Sequence, residues 1–584
     1  MSISSLMLHR GILGVQKVTS LRLPYDTGKI QSSLKSTLSF IPCVPFNHFK
    51  KNSIHSSMAR NRDMESKDSD DNTRIVLQEH DDVSQDGLGK ENVVIESSLH
   101  INGSPHGLQQ SVSIEITHSE KKLFDILKGC VAFHALDIDL RVAGGWVRDK
   151  LLKCSSKDID IAVEKMTGVE FCTYLNAFTK DHLGFQKTVG VVKRRPEQSK
   201  HLETATVNIL GYAVDFVNLR SEDYAQDSRI PIMKIGTPTE DAVRRDFTIN
   251  SLFYNISTNT IEDFTGYGIQ DLRDGLIRTC SSAFSTFIDD PLRVIRAARF
   301  SARLDYKLHE DINKASASPK VLEQLRNKVA RARIAQELDD MLSKGNVPKA
   351  FELMRSWGVL EILTRDTECD APNDDQMMRG CNTMKMMREC LNEVHWGNID
   401  TKIAYIAAFC YPIRDTPTSE RCGYVEHVIK SRLKLPNKVA SGAHTVVEGS
   451  KSFETLLLHI PSDTSSLRGA LGCVIRDIGV LWREALLLTM ANEASNSSEC
   501  KFTYLKNRYS DILKKINDLK LQEAYLIKAP VSGKQLTELL PGLTPGPMFK
   551  QVLDFQVDHL LKNPGLSKDE LIQYIIGTFG NKYN

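Results

Sequence analysis

The stretch "GGWVRDKLLKCSSKDIDIAV" (Gly144–Val163) decides the fold. It begins with two glycines set between a predicted strand, "DLRVA", and a predicted helix, "WVRDKLLK". It ends in a second predicted strand, "DIDIAV", where Asp158 and Asp160 fall at i and i+2. Residues two apart on a strand share a face, so both carboxylates project together while Ile159 and Ile161 turn to a core. Paired hard carboxylates suit Mg²⁺, which takes one or two protein carboxylates and completes its shell with water and substrate phosphates. Asp215, in the later strand "AVDFVNL", is the candidate third carboxylate. Gly144 and Gly145 allow close backbone approach to a ligand. The helix start that follows offers N–H groups to phosphate, with Arg148 one turn in. There is no G-K-[ST], so this is not a Walker loop.

Outward from this stretch the pattern divides in two. Between residues 115 and 275 short strands and helices alternate: "ATVNIL" and "AVDFVNLR" read as strands, and "SEKKLFDILKGCVAFHAL" reads as a helix. From Ser285 onward the apolar spacing is helical ("PLRVIRAARFSARL", "RIAQELDDMLSKG", "VPKAFELMRSWGVLEIL"). The expected class is α+β, a small mixed head followed by a long all-helical part.

The chain has 584 residues and a formal net charge of +2, which conceals two opposite flanks. Residues 1–60 hold eight Lys/Arg and one acid, the composition of an organelle transit peptide. Residues 61–100 hold four Lys/Arg and eleven acids, and residues 61–112 read as a disordered acidic linker. Initiation at Met58 or Met64 would remove the basic leader and leave the protein in the nucleus or cytosol. The twelve cysteines form no C-x-x-C pair, and no apolar run approaches the roughly 18 residues of a membrane span. No membrane partner is expected, and the oligomeric state is open.

Three further stretches carry chemistry: "EDAVRRDFTINSLFYN" (Glu240–Asn255), "DFTGYGIQDL" (Asp263–Leu272) and "DDPLRVIRAARFSARL" (Asp289–Leu304). Together with Gly144–Val163 and "NKVARARIAQELDDML", in this order, the set resembles the class II CCA-adding enzymes. These are the tRNA nucleotidyltransferases of the polymerase-β-like superfamily, here in a eukaryotic, organelle-targeted form of the kind plants carry. The resemblance runs from about residue 138 to 340. It implies a nucleotidyltransferase head at 113–280, a helical neck at 281–365, a body at 366–525 and a tail at 526–584. It also implies tRNA as partner, CTP and ATP as substrates and Mg²⁺ as cofactor.

By the same resemblance Asp158 and Asp160 are metal ligands; Asp215 joins them in catalysis on the strand reading above. Gly144, Gly145 and Arg148 meet the triphosphate. Arg244 and Arg245 meet sugar and phosphates, and Asp246 accepts from the ribose 2′-OH. Asp263, Gly266, Gly268 and Asp271 form either a flexible element between head and neck or simply a turn. Asp290 and Arg293 act as a protein template for the base, with Arg296 and Arg299 lining the pocket.

Hydrogen-bond logic supports that template. A carboxylate only accepts and a guanidinium only donates. Cytosine and adenine each set an amino donor beside a ring acceptor, whereas uracil and guanine present the reverse. A site built for one pattern rejects the other by up to about 10⁴–10⁵. Pro291 suits the first turn of a helix after an aspartate cap, and Arg293, Arg296 and Arg299 then recur every third residue as one basic stripe. The family usually has Glu-Asp where this chain has Asp289-Asp290. Arg331 and Arg333 suit either RNA contact or a solvated face. Poly(A) polymerases and enzymes adding only CC or only A share most of these motifs. A non-catalytic RNA-binding relative is the alternative outside enzymes.

Overall fold

The computed structural model describes residues 92–95, 99–101, 114–156, 158–184, 189–192, 204–223, 232–365, 372–417, 423–497 and 502–583. The expected transit peptide, Met58, Met64 and most of the acidic linker lie outside these. The described residues all belong to one unit, Glu79–Asn584.

In chain order the head comprises β1 (Asn92–Ile95), β2 (Leu99–Ile101), β3 (Ile114–Thr117), α1 (His118–Phe133), β4 (Leu140–Ala143), α2 (Gly145–Leu151), β5 (Ile159–Val163) and α3 (Gly168–Leu183). It continues through β6 (Val189–Val192), β7 (Thr204–Ile209), β8 (Tyr212–Asn218), β9 (Arg220–Asp223), β10 (Ile232–Ile235), α4 (Pro238–Val243), β11 (Phe253–Asn255), β12 (Thr260–Asp263) and α5 (Gly268–Asp274). Eight strands form one mixed sheet in the order β2-β12-β11-β4-β5-β8-β7-β6. β5 and β8 are parallel neighbours, with α3, β6 and β7 between them in the chain, and β4 runs antiparallel to β5.

Burial explains the pattern. Ile159, Ile161 and Val163 of β5, and Val214 and Phe216 of β8, turn into one core with Leu123, Leu127, Phe171 and Trp146. The opposite face of the same strands is left for the polar residues that alternate with them. α1 starts on a capping box: Thr117 Oγ1 accepts from the Glu120 N–H, and Glu120 accepts from the Thr117 N–H at 2.7 Å.

One expectation needs correcting. β1 and β2 fall inside the stretch read as disordered linker; β1 pairs with β3, and β2 with β12. The segment "NVVI" is β-branched, and averaging over an acidic window hid it.

The neck follows as α6 (Ala283–Asp289), α7 (Leu292–Leu304), α8 (Glu310–Ser316), α9 (Pro319–Lys328) and α10 (Arg331–Ser343). Helices continue to Lys568–Tyr583. One apolar core runs without a break from the neck through the body, and it includes Phe247 and Ile249 from the head. Residues Val531–Phe579 of the tail surround a smaller core of their own. No helix among the described residues is long and apolar enough to cross a membrane.

Candidate active site

The open face of the sheet, α4 and the neck helices α7 and α10 enclose a cleft of about 770 Å³. Nine arginines and five carboxylates line it: Arg148, Arg220, Arg244, Arg245, Arg293, Arg296, Arg299, Arg303 and Arg333, with Asp160, Asp215, Asp246, Asp290 and Glu337. The excess of positive charge suits a polyanion.

Its floor is built by register. Asp160 on β5 is the direct partner of Asp215 on β8, so two carboxylates stand side by side. Asp158 immediately precedes β5, and both it and Asp160 are exposed while Ile159 and Ile161 are buried. The expected alternation is therefore present. Thr206 on β7, the register partner of Asp215 on its other side, donates to Asp215 Oδ1 at 2.5 Å. Desolvation, then the negative charge of Asp215, push the Asp160 carboxyl up; Arg245 opposes them and Asp158 adds to them. Like charges crowd here without enough positive charge to neutralise them, as in a donor set made for a hard cation. Among the described residues no three His, Cys, Asp or Glu side chains form a ready-made metal cluster. Asp160 and its register partner Asp215 offer adjacent carboxylate oxygens, a partial shell of the kind that suits an ion keeping water and substrate oxygens.

The glycine turn has a steric reason. Gly144 sits at φ +67°, and a Cβ there would lie 2.8 Å from Arg245 Nη1. No other residue fits without displacing that guanidinium. A Cβ on Gly145 would meet Arg148 Nη2 only at an ordinary 3.7 Å. α2 is held from outside the motif: Trp146 Nε1 and Lys150 Nζ both donate to the buried Glu120, at 3.1 and 2.7 Å. Arg148 is 4% exposed and donates to Asn250 Oδ1 at 2.5 Å and Asp149 Oδ1 at 2.8 Å.

The arginines are set by carboxylates behind them. Asp241, 1% exposed on α4, accepts from Arg244 Nε at 2.9 Å and Arg245 Nη2 at 2.8 Å. Burial pushes the Asp241 carboxyl up, but Arg245 and Arg244 outweigh it and hold it below its usual value. Asp246 accepts from the Phe247 N–H at 2.8 Å, Asn250 Nδ2 at 3.1 Å and Arg296 Nε at 2.8 Å. Burial again opposes ionisation, and Arg296, the Asn250 bond and Arg293 prevail, so this carboxyl too lies low. Glu337 on α10 accepts from Arg296 Nη1 at 3.0 Å and Arg299 Nε at 2.6 Å. Phe300 lies under three guanidinium groups, those of Arg148 (5.2 Å), Arg296 (5.4 Å) and Arg299 (4.6 Å).

At the α6–α7 junction Asp290 Oδ1 accepts from the Leu292 N–H, but α7 begins at Leu292 with Pro291, not the expected aspartate, in its cap position and no side chain capping it. Arg293, Arg296 and Arg299 lie on the same wall of the cleft, and Arg303 extends their row.

The head from residue 140 to 278 matches the family model of the poly(A) polymerase head domain. A tRNA nucleotidyltransferase of Schizosaccharomyces pombe is 31% identical over 493 residues, which cover 79% of this chain and 97% of the relative. This chain belongs to the tRNA nucleotidyltransferase family. The mitochondrial CCA tRNA nucleotidyltransferase of Saccharomyces cerevisiae is 29% identical over 483 residues, 75% of this chain and 88% of the relative. The CCA-adding enzyme of Bacillus stearothermophilus, solved in complex with CTP, shares the fold with a TM-score of 0.53 at 19% identity, covering 80% of this chain and 99% of that one.

For a tRNA nucleotidyltransferase, the distribution of the expected site residues is informative. Asp160, Asp215, Gly144, Gly145, Arg148, Arg244, Arg245, Asp246, Asp290, Arg293, Arg296 and Arg299 all line one cleft. The element at Asp263–Asp271 is built as a tied turn. Asp263 accepts from the N–H groups of Thr265, Gly266 and Ile269, and Asp271 accepts from Thr248 Oγ1 at 2.7 Å and Arg278 Nε at 3.0 Å. A Cβ on Gly268 would lie 2.7 Å from the Thr248 carbonyl oxygen. Arg331 is not on a solvated face either; it donates to the carbonyl of Ile362 at 3.1 Å. Arg333 reaches Asp290.

Sequence reading missed Asp241, Asn250, Glu337, Phe300 and Arg303. Asp241 had a signal, an acid three and four residues before Arg244 and Arg245. Arg303 continues the helical stripe. Asn250 and Glu337 had none, because their partners come from other elements.

Proposed function

We propose that the chain adds C, C and A to the 3′ end of tRNA from CTP and ATP, without a nucleic-acid template and with release of pyrophosphate. The observation that carries this is the placing of Asp160 beside Asp215 on the floor of an arginine-lined cleft whose rim holds Asp290 and Arg293. Asp158 and Asp160 are the residues that would hold Mg²⁺, with Asp215 beside them as the third catalytic carboxylate; when bound, the ion supplies Lewis-acid help to the attacking 3′-OH and the departing pyrophosphate. Arg148, Arg244, Arg245, Arg296 and Arg299 orient the triphosphate. Asp246, which lines the cleft and holds Arg296, reads the ribose 2′-OH. Asp290 accepts the amino proton of cytosine or adenine, and Arg293 donates to the ring acceptor beside it. Catalysis by this chain is positioning and electrostatics.

The test is addition to tRNA transcripts ending before CCA, with Mg²⁺ and each NTP singly and together, followed by sequencing of the 3′ ends. A CCA end from CTP plus ATP is expected. An A-only tail would identify a poly(A) polymerase or A-adding enzyme instead, a CC end a partial enzyme, and no addition a non-catalytic relative.

The basic leader at residues 1–60, together with the mitochondrial relative, supports an organelle destination. The reading is mitochondrion and/or plastid for the full-length chain, and nucleus or cytosol for chains begun at Met58 or Met64. Imaging of full-length and Met64-initiated fusions tests it; identical distributions of the two would overturn it.

A further inference from the structure

Asp290 is expected to meet the incoming base together with Arg293, yet the structure gives its carboxylate another partner. Arg333 Nη2 donates to Asp290 Oδ2 at 2.8 Å, and Nη1 donates to Oδ1 at 3.3 Å. The two residues stand 43 apart in the chain, on α10 and at the head of α7. Arg293 meanwhile donates through Nη2 to the carbonyl oxygen of Arg244 at 2.7 Å. The acceptor of the base-reading pair is thus anchored on a neck helix, and the donor on the segment after α4. Arg333 itself lines the cleft.

We propose that Arg333 is a specificity-determining positioning residue, whose guanidinium fork fixes the plane of the Asp290 carboxylate so that it presents a set acceptor to cytosine or adenine. A planar fork engaging both oxygens restrains rotation of the carboxylate, and the lone pairs it leaves point in fixed directions. Without the fork only the Leu292 N–H at 3.3 Å would restrain the carboxylate, which could then turn toward whatever the base or water offers, and the amino-specific geometry would loosen. Lysine cannot replace the fork, because an ammonium is a point donor. The ion pair is partly exposed, with side chains 39% and 24% accessible, so its contribution to folding stability is small. Its position at the base-reading carboxylate is the stronger reason for its presence.

This inference rests on the CCA-adding reading, and the experiment separates the two. Full-length wild type, R333K and R333A are given tRNA transcripts lacking the last one or three nucleotides, with single NTPs over a concentration series. In R333A the KM for CTP and ATP is expected to rise about tenfold with kcat within about threefold. The preference over UTP and GTP is expected to fall about tenfold or more. R333K shows the same loss of preference, and added guanidinium ion restores it in R333A. If R333A melts below wild type, R333K, which keeps the charge, carries the comparison. Unchanged preference and KM in the variants overturn the role of Arg333, as does a loss of kcat alone. A wild-type protein that adds nothing to tRNA overturns the parent reading instead.

Discussion

Asp241 shows most directly how single residues hold this site together. It supports two arginines at once while lying 1% exposed. Replacing it by asparagine removes the charge that balances both, and breaking a buried pair of this kind costs about 3–5 kcal/mol, less here because the arginines are partly accessible. The pH dependence has a definite sign. Asp241 and Asp246 titrate lower in the folded chain than in the unfolded one. The stability they lend is therefore complete above the ordinary carboxylate value of about 4 and is lost as pH falls through the lower folded values. Chemical denaturation of wild type and D241N across the acid range should show a shallower acid-side decline in the variant. Phe300 makes a second residue-scale case. F300L keeps the site apolar but removes the ring shared by three guanidinium groups. Each such contact is worth about 0.5–2 kcal/mol. Nucleotide KM should rise several-fold in steady-state assays while kcat changes less.

At the scale of elements, the pairing of β5 with β8 decides where the carboxylates stand. A slip of one residue would carry Asp160 or Asp215 to the core face. The buried Ile159, Ile161, Val214 and Phe216 prevent it. The same pairing stores repulsion, since Asp215 and Asp158 both disfavour charge on Asp160. D160N should therefore lose activity by roughly 10²–10³-fold, as losses of single electrostatic groups do, while its melting temperature stays level or rises. A variant that keeps full activity would remove Asp160 from the site. The strand–glycine–helix unit, β5 with its aspartates and the basic stripe of α7 were legible in sequence, because period and local chemistry sit within a dozen residues. The partner of that stripe from α10, Glu337, was not, and neither was the pairing of Arg333, on the same helix, with Asp290.

Across the whole molecule, the tail is seated on the body by close packing. A Cβ on Gly472 would lie 2.6 Å from Leu561 Cδ2, and one on Gly469 would lie 2.6 Å from Lys562 Cγ. These glycines lie on the helix Thr464–Ile478, which faces the tail helix Pro547–Lys562. G472V should overpack this joint and cost about 1–3 kcal/mol. Thermal melting will read that loss. Nucleotide binding, measured by calorimetry with CTP, should stay at the wild-type value, because the cleft lies among head and neck residues. A weakened CTP affinity would mean that the tail supports the cleft.

The order of the motifs by itself determined the class of this protein: a nucleotidyltransferase head followed by helices, with its paired aspartates, glycine turn and arginine-striped helix. Those signals are local, carried by strand alternation, glycine at a left-handed turn and arginines at helical spacing. The strands at residues 92–101, the placing of Asn250 and Glu337, and the pairing of Arg333 with Asp290 were decided only by tertiary structure. Their roles depend on pairing and charge compensation between segments distant in the chain, and no spacing within one segment encodes which buried carboxylate will meet which guanidinium.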